Sequence, residues 1–261
     1  MIESVPTAVS IAVAVLFGAV VGSFLNVCIY RLPLGKSIMW PGSACPHCGR
    51  MLSWFENVPI LGYLALGGRC RTCRAAIGVQ YPMVEALTAA MFGLAWWYYG
   101  PSVLLVSRLT LGCALIVLFA VDLEHHLLPN AITLPGIVVG FVFSLFAEPG
   151  WIASLIGIAV GGGVLFGIAE AYYRIRHEEG LGMGDVKMLA MIGAFLGWKA
   201  VLLTLLLASF LGSLVGVAIL IVRKESLKYA LPFGTFLAAA ALVAAVAGDP
   251  LISWYLGFYR R

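Results

Sequence analysis

Long stretches without any charged residue are the feature that most constrains this chain. Residues 4–30 contain none, and neither do residues 86–107, 127–147, 149–169 and 200–222. A helix that crosses the hydrocarbon core of a bilayer needs about 20 predominantly apolar residues. With 62% hydrophobic and 11% charged residues, the chain has too little polar surface for a soluble globule, a disordered chain or a nucleic-acid-coating protein. These windows therefore predict an all-α polytopic membrane protein.

The apolar windows and the breaks between them predict eight transmembrane helices. A Tyr-Gly-Pro break at residues 99–101 divides one long run in two, and the stretch 188–198 is apolar but short. The first window is too long for a signal-peptide core and lacks a basic start, so we expect it to be retained. The expected helices are residues 6–29, 82–99, 102–122, 131–147, 151–173, 186–198, 200–222 and 235–256.

The distribution of Lys and Arg among the short loops predicts the orientation. With the N-terminus outside, the inner loops carry twelve of these residues and the outer side carries three, Lys199, Arg260 and Arg261. This bias places the one sizeable polar segment in the cytoplasm. A net charge of +4 is too small to imply a nucleic-acid partner. The expected parts are a first transmembrane helix in residues 1–30, a cytoplasmic loop domain in residues 31–80 and a seven-helix membrane domain in residues 81–261.

Four cysteines in the polar segment form two Cys-x-x-Cys pairs. Cys45 and Cys48 make up the first pair, Cys70 and Cys73 the second, and 21 residues separate the pairs. This spacing is typical of a tetrahedral zinc site with four thiolate ligands. Disulfides or free thiols are the alternatives, and a reducing cytoplasm disfavours the disulfides. A closed site of this type stabilises a small loop and catalyses nothing by itself.

Two of the twelve acidic residues lie where a charge is costly, at the ends of predicted spans. Asp122 ends the third span and Asp185 begins the sixth. Because two crossings separate them, both carboxylates face the same side of the membrane. Two carboxylates that share one proton can activate water and protonate a carbonyl oxygen. From the helix dipoles we expect Asp185, at a helix N-terminus, to be the ionised base and Asp122 to be the acid.

Other readings of these residues have weaker support. His125 and His126 are close to Asp122 and Glu124, but no His-Glu-x-x-His sequence indicates a catalytic metal. No Gly-x-Ser-x-Gly sequence indicates a serine hydrolase. A transporter would favour internal repeats and polar groups near mid-membrane, neither of which the sequence shows. A transporter and a metal-dependent membrane hydrolase therefore remain as alternatives.

The chain resembles the type IV prepilin leader peptidases, also called prepilin peptidase/N-methyltransferases. The resemblance covers almost the whole length, because its motifs occur in order from the first helix to the last. These motifs are residues 22–33 (GSFLNVCIYRLP), the cysteine pairs, residues 54–59 (WFENVP), 74–82 (RAAIGVQYP), 122–130 (DLEHHLLPN), 182–190 (GMGDVKMLA) and 232–234 (PFG). One departure is Asn130, where relatives often have Asp.

The resemblance implies an aspartic protease of the Gly-x-Gly-Asp type in the bacterial inner membrane, with Asp122 and Asp185 as the catalytic pair. Gly182, Gly184 and Lys187 take the places of the supporting protease loop. The implied substrates are prepilins and pseudopilins with a basic leader and a hydrophobic helix, cut at the cytoplasmic membrane face. The implied cofactors are structural zinc and S-adenosylmethionine, the donor for N-methylation of the new N-terminus. Cleavage without methylation is the alternative within the family.

Overall fold

The computed structural model describes residues 7–177, 182–223 and 231–259. These residues form helices and loops, with two isolated β-bridges, Ala44 to Met51 and Arg69 to Ala76. Lys224, Lys228, Arg260 and Arg261, which enter the predicted charge bias, lie outside them. The helices of the described part are α1 (Thr7–Arg31), α2 (Leu61–Ala65), α3 (Gln80–Tyr99), α4 (Val103–His125), α5 (Asn130–Ser144), α6 (Trp151–Arg176), α7 (Met183–Arg223) and α8 (Phe233–Tyr259), with a 3₁₀ helix at Trp54–Asn57.

The predicted all-helical membrane fold is confirmed. Among the described residues, five helices are long and apolar enough to cross a membrane, namely α1, α4, α6, α7 and α8. The helix α5 is apolar but shorter, with 15 residues. Each of the eight predicted spans corresponds to one helix or to part of one.

The predicted sixth and seventh spans correspond to the two helical segments of α7, which meet at a kink. The helical backbone is interrupted only at Gly197, whose φ of 77° and ψ of 172° lie outside the helical region. Glycine adopts positive φ without the steric cost that a Cβ brings. The short stretch 188–198 is therefore the first half of a kinked helix, and the kink falls within the predicted sixth span.

The chain divides into two compact units, residues 1–109 and residues 110–261. In the first unit, α1 packs along α3. Glycines on α1 permit this contact, because a Cβ on Gly18 would lie 2.7 Å from the Phe92 Cβ. A Cβ on Gly22 would lie 2.7 Å from the Cα of Glu85. Small residues at such positions let helix backbones approach closely within a membrane.

In the second unit, α7 is the central helix and packs against α5, α6 and α8. Its first half is almost fully buried, and Met191 and Phe195 are 0% and 1% exposed. The contact with α6 joins backbone to backbone, because a Cβ on Gly157 would collide with the carbonyl group of Gly193. Beside it, the Ser154 hydroxyl donates a hydrogen bond of 2.8 Å to the Ala194 carbonyl oxygen.

Replacing Gly157 with Ala tests this packing. We expect a loss of about 1–3 kcal/mol in the free energy of unfolding, because the added methyl group must push α6 away from α7. The matched control is Gly163→Ala on the same helix, where an added Cβ has no atom within 4 Å. Thermal unfolding of the detergent-solubilised protein measures both. A Gly157→Ala protein as stable as the control would contradict the packing argument.

Candidate active site and metal centre

The carboxylate of Asp122 is buried at the end of α4 and binds the start of α8. Its Oδ2 atom accepts a hydrogen bond of 2.6 Å from the Thr235 N–H and one of 3.0 Å from the Thr235 hydroxyl. Thr235 lies in the first turn of α8, where backbone N–H groups have no partner within the helix. The positive end of the α8 dipole therefore faces Asp122.

Gly234 makes this contact possible. A Cβ at Gly234 would lie 3.0 Å from the Asp122 Oδ2 atom and 2.9 Å from the Leu128 Cδ1 atom. Any side chain would therefore push the start of α8 away from the carboxylate. This close approach gives a structural reason for the glycine that follows Phe233.

Asp185 lies in the first turn of α7, in the same unit as Asp122, and is 9% exposed. The two carboxylates are close enough to interact electrostatically. The buried Oδ1 atom of Asp185 has no hydrogen-bond partner within the described ranges. Leu128 joins the two sides of the site, because a Cβ on Gly184 or on Gly234 would lie 2.9 Å from its side chain.

The three residues predicted to support the aspartates have different positions. The Gly182 carbonyl accepts a 3.1 Å hydrogen bond from the Asp185 N–H, and a Cβ on Gly182 would lie 3.3 Å from the Asp185 Oδ2 atom. Gly184 contacts Leu128, as above. The Lys187 ammonium donates a 3.0 Å hydrogen bond to the Asn130 Oδ1 atom. Lys187 therefore joins the starts of α5 and α7, and Asn130 serves as its acceptor.

The four predicted cysteines come together in the first unit. Their sulfur atoms all lie within 4.8 Å of one another, and the Sγ atoms of Cys45 and Cys73 are 3.8 Å apart. A tetrahedral ion with Zn–S bonds of about 2.3 Å requires sulfurs about 3.8 Å apart, so the donor set fits such an ion. In the part of the chain that the structure describes, this is the only group of His, Cys, Asp and Glu side chains able to hold a metal.

The two cysteine pairs have the same backbone structure, displaced by 25 residues along the chain. The Cys45 N–H donates to the Arg50 carbonyl just as the Cys70 N–H donates to the Ala75 carbonyl, both at 2.9 Å. The two β-bridges are displaced in the same way. In each pair the residue after the second cysteine has positive φ, 69° at Gly49 and 59° at Arg74. The pairs are therefore two copies of one turn that faces a common centre.

Backbone N–H groups prepare one of these thiols for metal binding. The N–H groups of Cys73 and Thr72 lower the pKa of the Cys70 thiol to about 6. Only the thiolate form binds a metal ion. Cys70 is therefore a good ligand at neutral pH.

The sequence analysis did not identify the residues that hold the cysteine loop and the Asp122 carboxylate in place. The buried Glu56 accepts a 2.7 Å hydrogen bond from the Arg50 guanidinium and one of 2.8 Å from the Ser53 N–H. The Arg50 hydrogen bond is also the main reason that the pKa of Glu56 is lowered. Ser53 and Glu56 have capping-box spacing, a signal that the sequence did contain. Thr235 had no such signal, because it is 113 residues away from Asp122.

Comparisons with known proteins show similarity along both units. The model of the bacterial peptidase A24 N-terminal domain matches residues 16–99, and that of the type IV leader peptidase family matches residues 109–217. A prepilin leader peptidase/N-methyltransferase of Pseudomonas putida is 38% identical over 92% of this chain and 92% of its own. Proteins with the same description from Pseudomonas aeruginosa and Aeromonas hydrophila are 36% and 35% identical, over 94% and 92% of this chain and 92% of their own. No solved structure matches.

The cysteine cluster predicts one bound metal ion per chain. Elemental analysis of the purified protein should find close to one equivalent, because the four sulfurs match a single tetrahedral ion. Cys70→Ser should lower this content severalfold. Cys113→Ser is the control, since Cys113 lies on α4 outside the cluster. A Cys70→Ser protein with undiminished metal would show that the ion is held elsewhere.

Proposed function

The chain belongs to the type IV leader peptidase family, and we propose that it removes the leader peptide from prepilins or pseudopilins and then methylates the new N-terminus. The observation that carries the peptidase assignment is the buried pair of Asp122 and Asp185, joined through Leu128 and the starts of α7 and α8. Burial of two adjacent carboxylates is costly, and catalysis by a shared proton explains their retention.

We propose that Asp122 is the ionised member of the pair and Asp185 the protonated one. The hydrogen bonds from Thr235 and the positive end of α8 stabilise negative charge on Asp122. Asp185, with its unpartnered Oδ1 atom, is free to hold the proton that two adjacent carboxylates share. This is the reverse of the assignment expected from the sequence, because the contact with α8 outweighs the end of Asp122's own helix.

In this arrangement Asp122 accepts a proton from the attacking water, and Asp185 donates its proton to the carbonyl oxygen of the scissile bond. The resulting tetrahedral intermediate collapses when the leaving amine receives a proton. The pair titrates as a unit, so these roles describe its preferred state. Gly182, Gly184 and Gly234 let the backbone at the starts of α7 and α8 pack closely against the carboxylates and Leu128, which holds the pair in place.

The membrane arrangement explains how substrate reaches this pair. We propose that the protein lies in the bacterial inner membrane, with the aspartates and the cysteine loop on the cytoplasmic side. The charge bias of the loops and the even number of spans between the aspartates support this. A prepilin with a basic leader and a hydrophobic helix would enter laterally from the bilayer. Its scissile bond would then lie at the inner boundary, where α4 ends and α7 begins.

Zinc is the metal that best suits the cysteine cluster, because four thiolates in a tetrahedron are typical of structural zinc sites. We propose that residues 31–80 form a loop domain stabilised by this ion and associated with methylation. S-adenosylmethionine would supply a methyl group activated by a positively charged sulfur. The seven-helix part, residues 81–261, would carry the peptidase.

Exchange of either aspartate should abolish cleavage. We expect Asp122→Asn and Asp185→Asn each to lower the cleavage rate by at least about a hundredfold, since neither amide can exchange the shared proton. Asp249→Asn is the matched control, because Asp249 is exposed on α8. Mass spectrometry of a co-expressed prepilin reports leader loss and N-methylation together. Near-normal processing by either variant would refute the catalytic pair. Cleavage without methylation by the wild-type protein would show that it is a peptidase but not a methyltransferase.

The role proposed for Thr235 gives a separate prediction. Thr235→Val removes the hydroxyl donor to Asp122 but keeps the side-chain shape and the backbone donor. Loss of one hydrogen bond to a charged group is worth about 1.5–3 kcal/mol, so we expect a drop of about tenfold or more in kcat. Thr235→Ser keeps the hydroxyl and should retain most of the activity. Equal rates for the Val and Ser variants would exclude a role for the hydroxyl.

A further inference from the structure

A cavity of about 530 Å³ lies in the first unit, and neither aspartate of the pair lines it. Its walls come from the second half of α1, the cysteine loop and the start of α3. Small-molecule sites usually have volumes of about 300–1,000 Å³, so the cavity is large enough for one ligand of cofactor size. Cys45 and Cys70, the two buried members of the metal cluster, form part of the wall. An ion held by the cluster would therefore help to shape this cavity.

Glu85 is a buried acidic side chain of this cavity whose negative charge has no cationic partner among the described residues. It is 8% exposed, and it accepts a 2.7 Å hydrogen bond from the Ile60 N–H and a further one from Ser23. No Lys, Arg or His within the described ranges forms an ion pair with it. The other buried acid of the wall, Glu56, is paired with Arg50. A carboxylate buried without a cation is costly, so a cationic ligand would stabilise the site.

The opposite charge lies farther along α1. Arg31 lines the cavity and holds the loop, donating to the carbonyls of Ser37 and Gly42 at 3.0 Å each. Lys36 also lines the cavity. Ser23, beside Glu85, and Arg31 are eight residues apart, which is about 12 Å along the helix axis. The wall is therefore acidic at Glu85 and basic at Arg31, with Arg71 as a further basic lining residue, and charges of both signs suit an elongated ligand that carries both.

Aromatic rings add a second feature that suits a cation. Tyr30, Trp40, Tyr63 and Tyr81 all line the cavity. The Lys36 ammonium already lies 5.7 Å from the centre of the Tyr30 ring. Faces of aromatic rings attract ammonium and sulfonium groups through their negative electrostatic potential.

We propose that this cavity is the binding site for S-adenosylmethionine, with Glu85 as the counter-ion of the sulfonium group. The inference rests on the proposed methylation, and it assigns that activity to the wall formed by α1, α3 and the cysteine loop. The carboxylate of the ligand would face the basic residues of the wall. The adenosine and sulfonium groups would lie among the aromatic rings and Glu85.

Equilibrium binding to the full-length protein in nanodiscs tests the role of Glu85. We expect Glu85→Gln to weaken the binding of S-adenosylmethionine by about tenfold or more, because an amide cannot neutralise the sulfonium charge. Binding of S-adenosylhomocysteine, whose sulfur is neutral, should weaken by less than about threefold. Glu148→Gln, an exposed site in the other unit, is the matched control and should bind both ligands normally.

Leader cleavage measured on the same samples separates this proposal from loss of the fold. Glu85→Gln should cleave prepilin at the wild-type rate, since Glu85 lies outside the aspartate site. Unchanged affinity for S-adenosylmethionine in this variant would overturn the proposal. A raised KM for prepilin with unchanged affinity for S-adenosylmethionine would also overturn it, and would show that the cavity holds the basic leader instead.

Photo-crosslinking of S-adenosylmethionine to the wild-type protein provides a test that needs no substitution and therefore cannot be affected by misfolding of a variant. The label should map to peptides that contain residues 23–31, 40–47 or 80–85. Label on the helices of the second unit, in a protein that still methylates, would overturn the site and leave the proposed function intact. A wild-type protein that neither binds nor methylates would contradict the methyltransferase function itself.

Discussion

Close contact between helix backbones at glycine is the interaction on which both units depend. Apolar side chains gain little from one another in a bilayer, because lipid is as apolar as they are, so helices associate through tight packing. In the first unit Gly22 lies against the backbone of Glu85, and in the second Gly157 lies against Gly193. Contacts this close leave little freedom for the helices to slide or rotate. They therefore fix the positions of the few polar groups that the helices carry.

The proposed functional groups follow from this packing. Gly184 and Gly234 let the starts of α7 and α8 pack closely against Leu128. This packing brings Thr235 to Asp122 and keeps Asp185 close to the same leucine. Gly22 brings α1 so near α3 that Glu85 is buried at the wall of the cavity. In both units a carboxylate is buried where a glycine admits a neighbouring backbone. The second unit carries the proposed acid pair, and the first carries the proposed counter-ion.

The sequence predicted those features that depend on local composition or short spacing. Hydropathy summed over about 20 residues identified the helices, and two Cys-x-x-Cys pairs identified the cluster. The sequence also predicted two spans in α7 with a break at residue 199, whereas the exact position of the kink, at Gly197, depends on a positive φ that the packing allows. The partner of Asp122 escaped prediction, since Thr235 is 113 residues away and only the folded chain joins them. The dipole of α4 can be predicted from the sequence, whereas the approach of the start of α8 to Asp122 depends on the tertiary fold.

The shortness of two helices has a consequence for the surrounding lipid. With 15 residues, α5 spans about 22 Å, and residues 183–196 of α7, before the kink at Gly197, span about 21 Å. The hydrocarbon core of a bilayer is about 30 Å thick, so both helical segments are shorter than the core is thick. Because this half of α7 is buried within the second unit, it is beside α5 that the bilayer must thin locally, and headgroups and water then follow the surface of α5 inward. Hydrolysis inside a membrane needs such a supply of water, so lipid chain length becomes a determinant of the reaction rate.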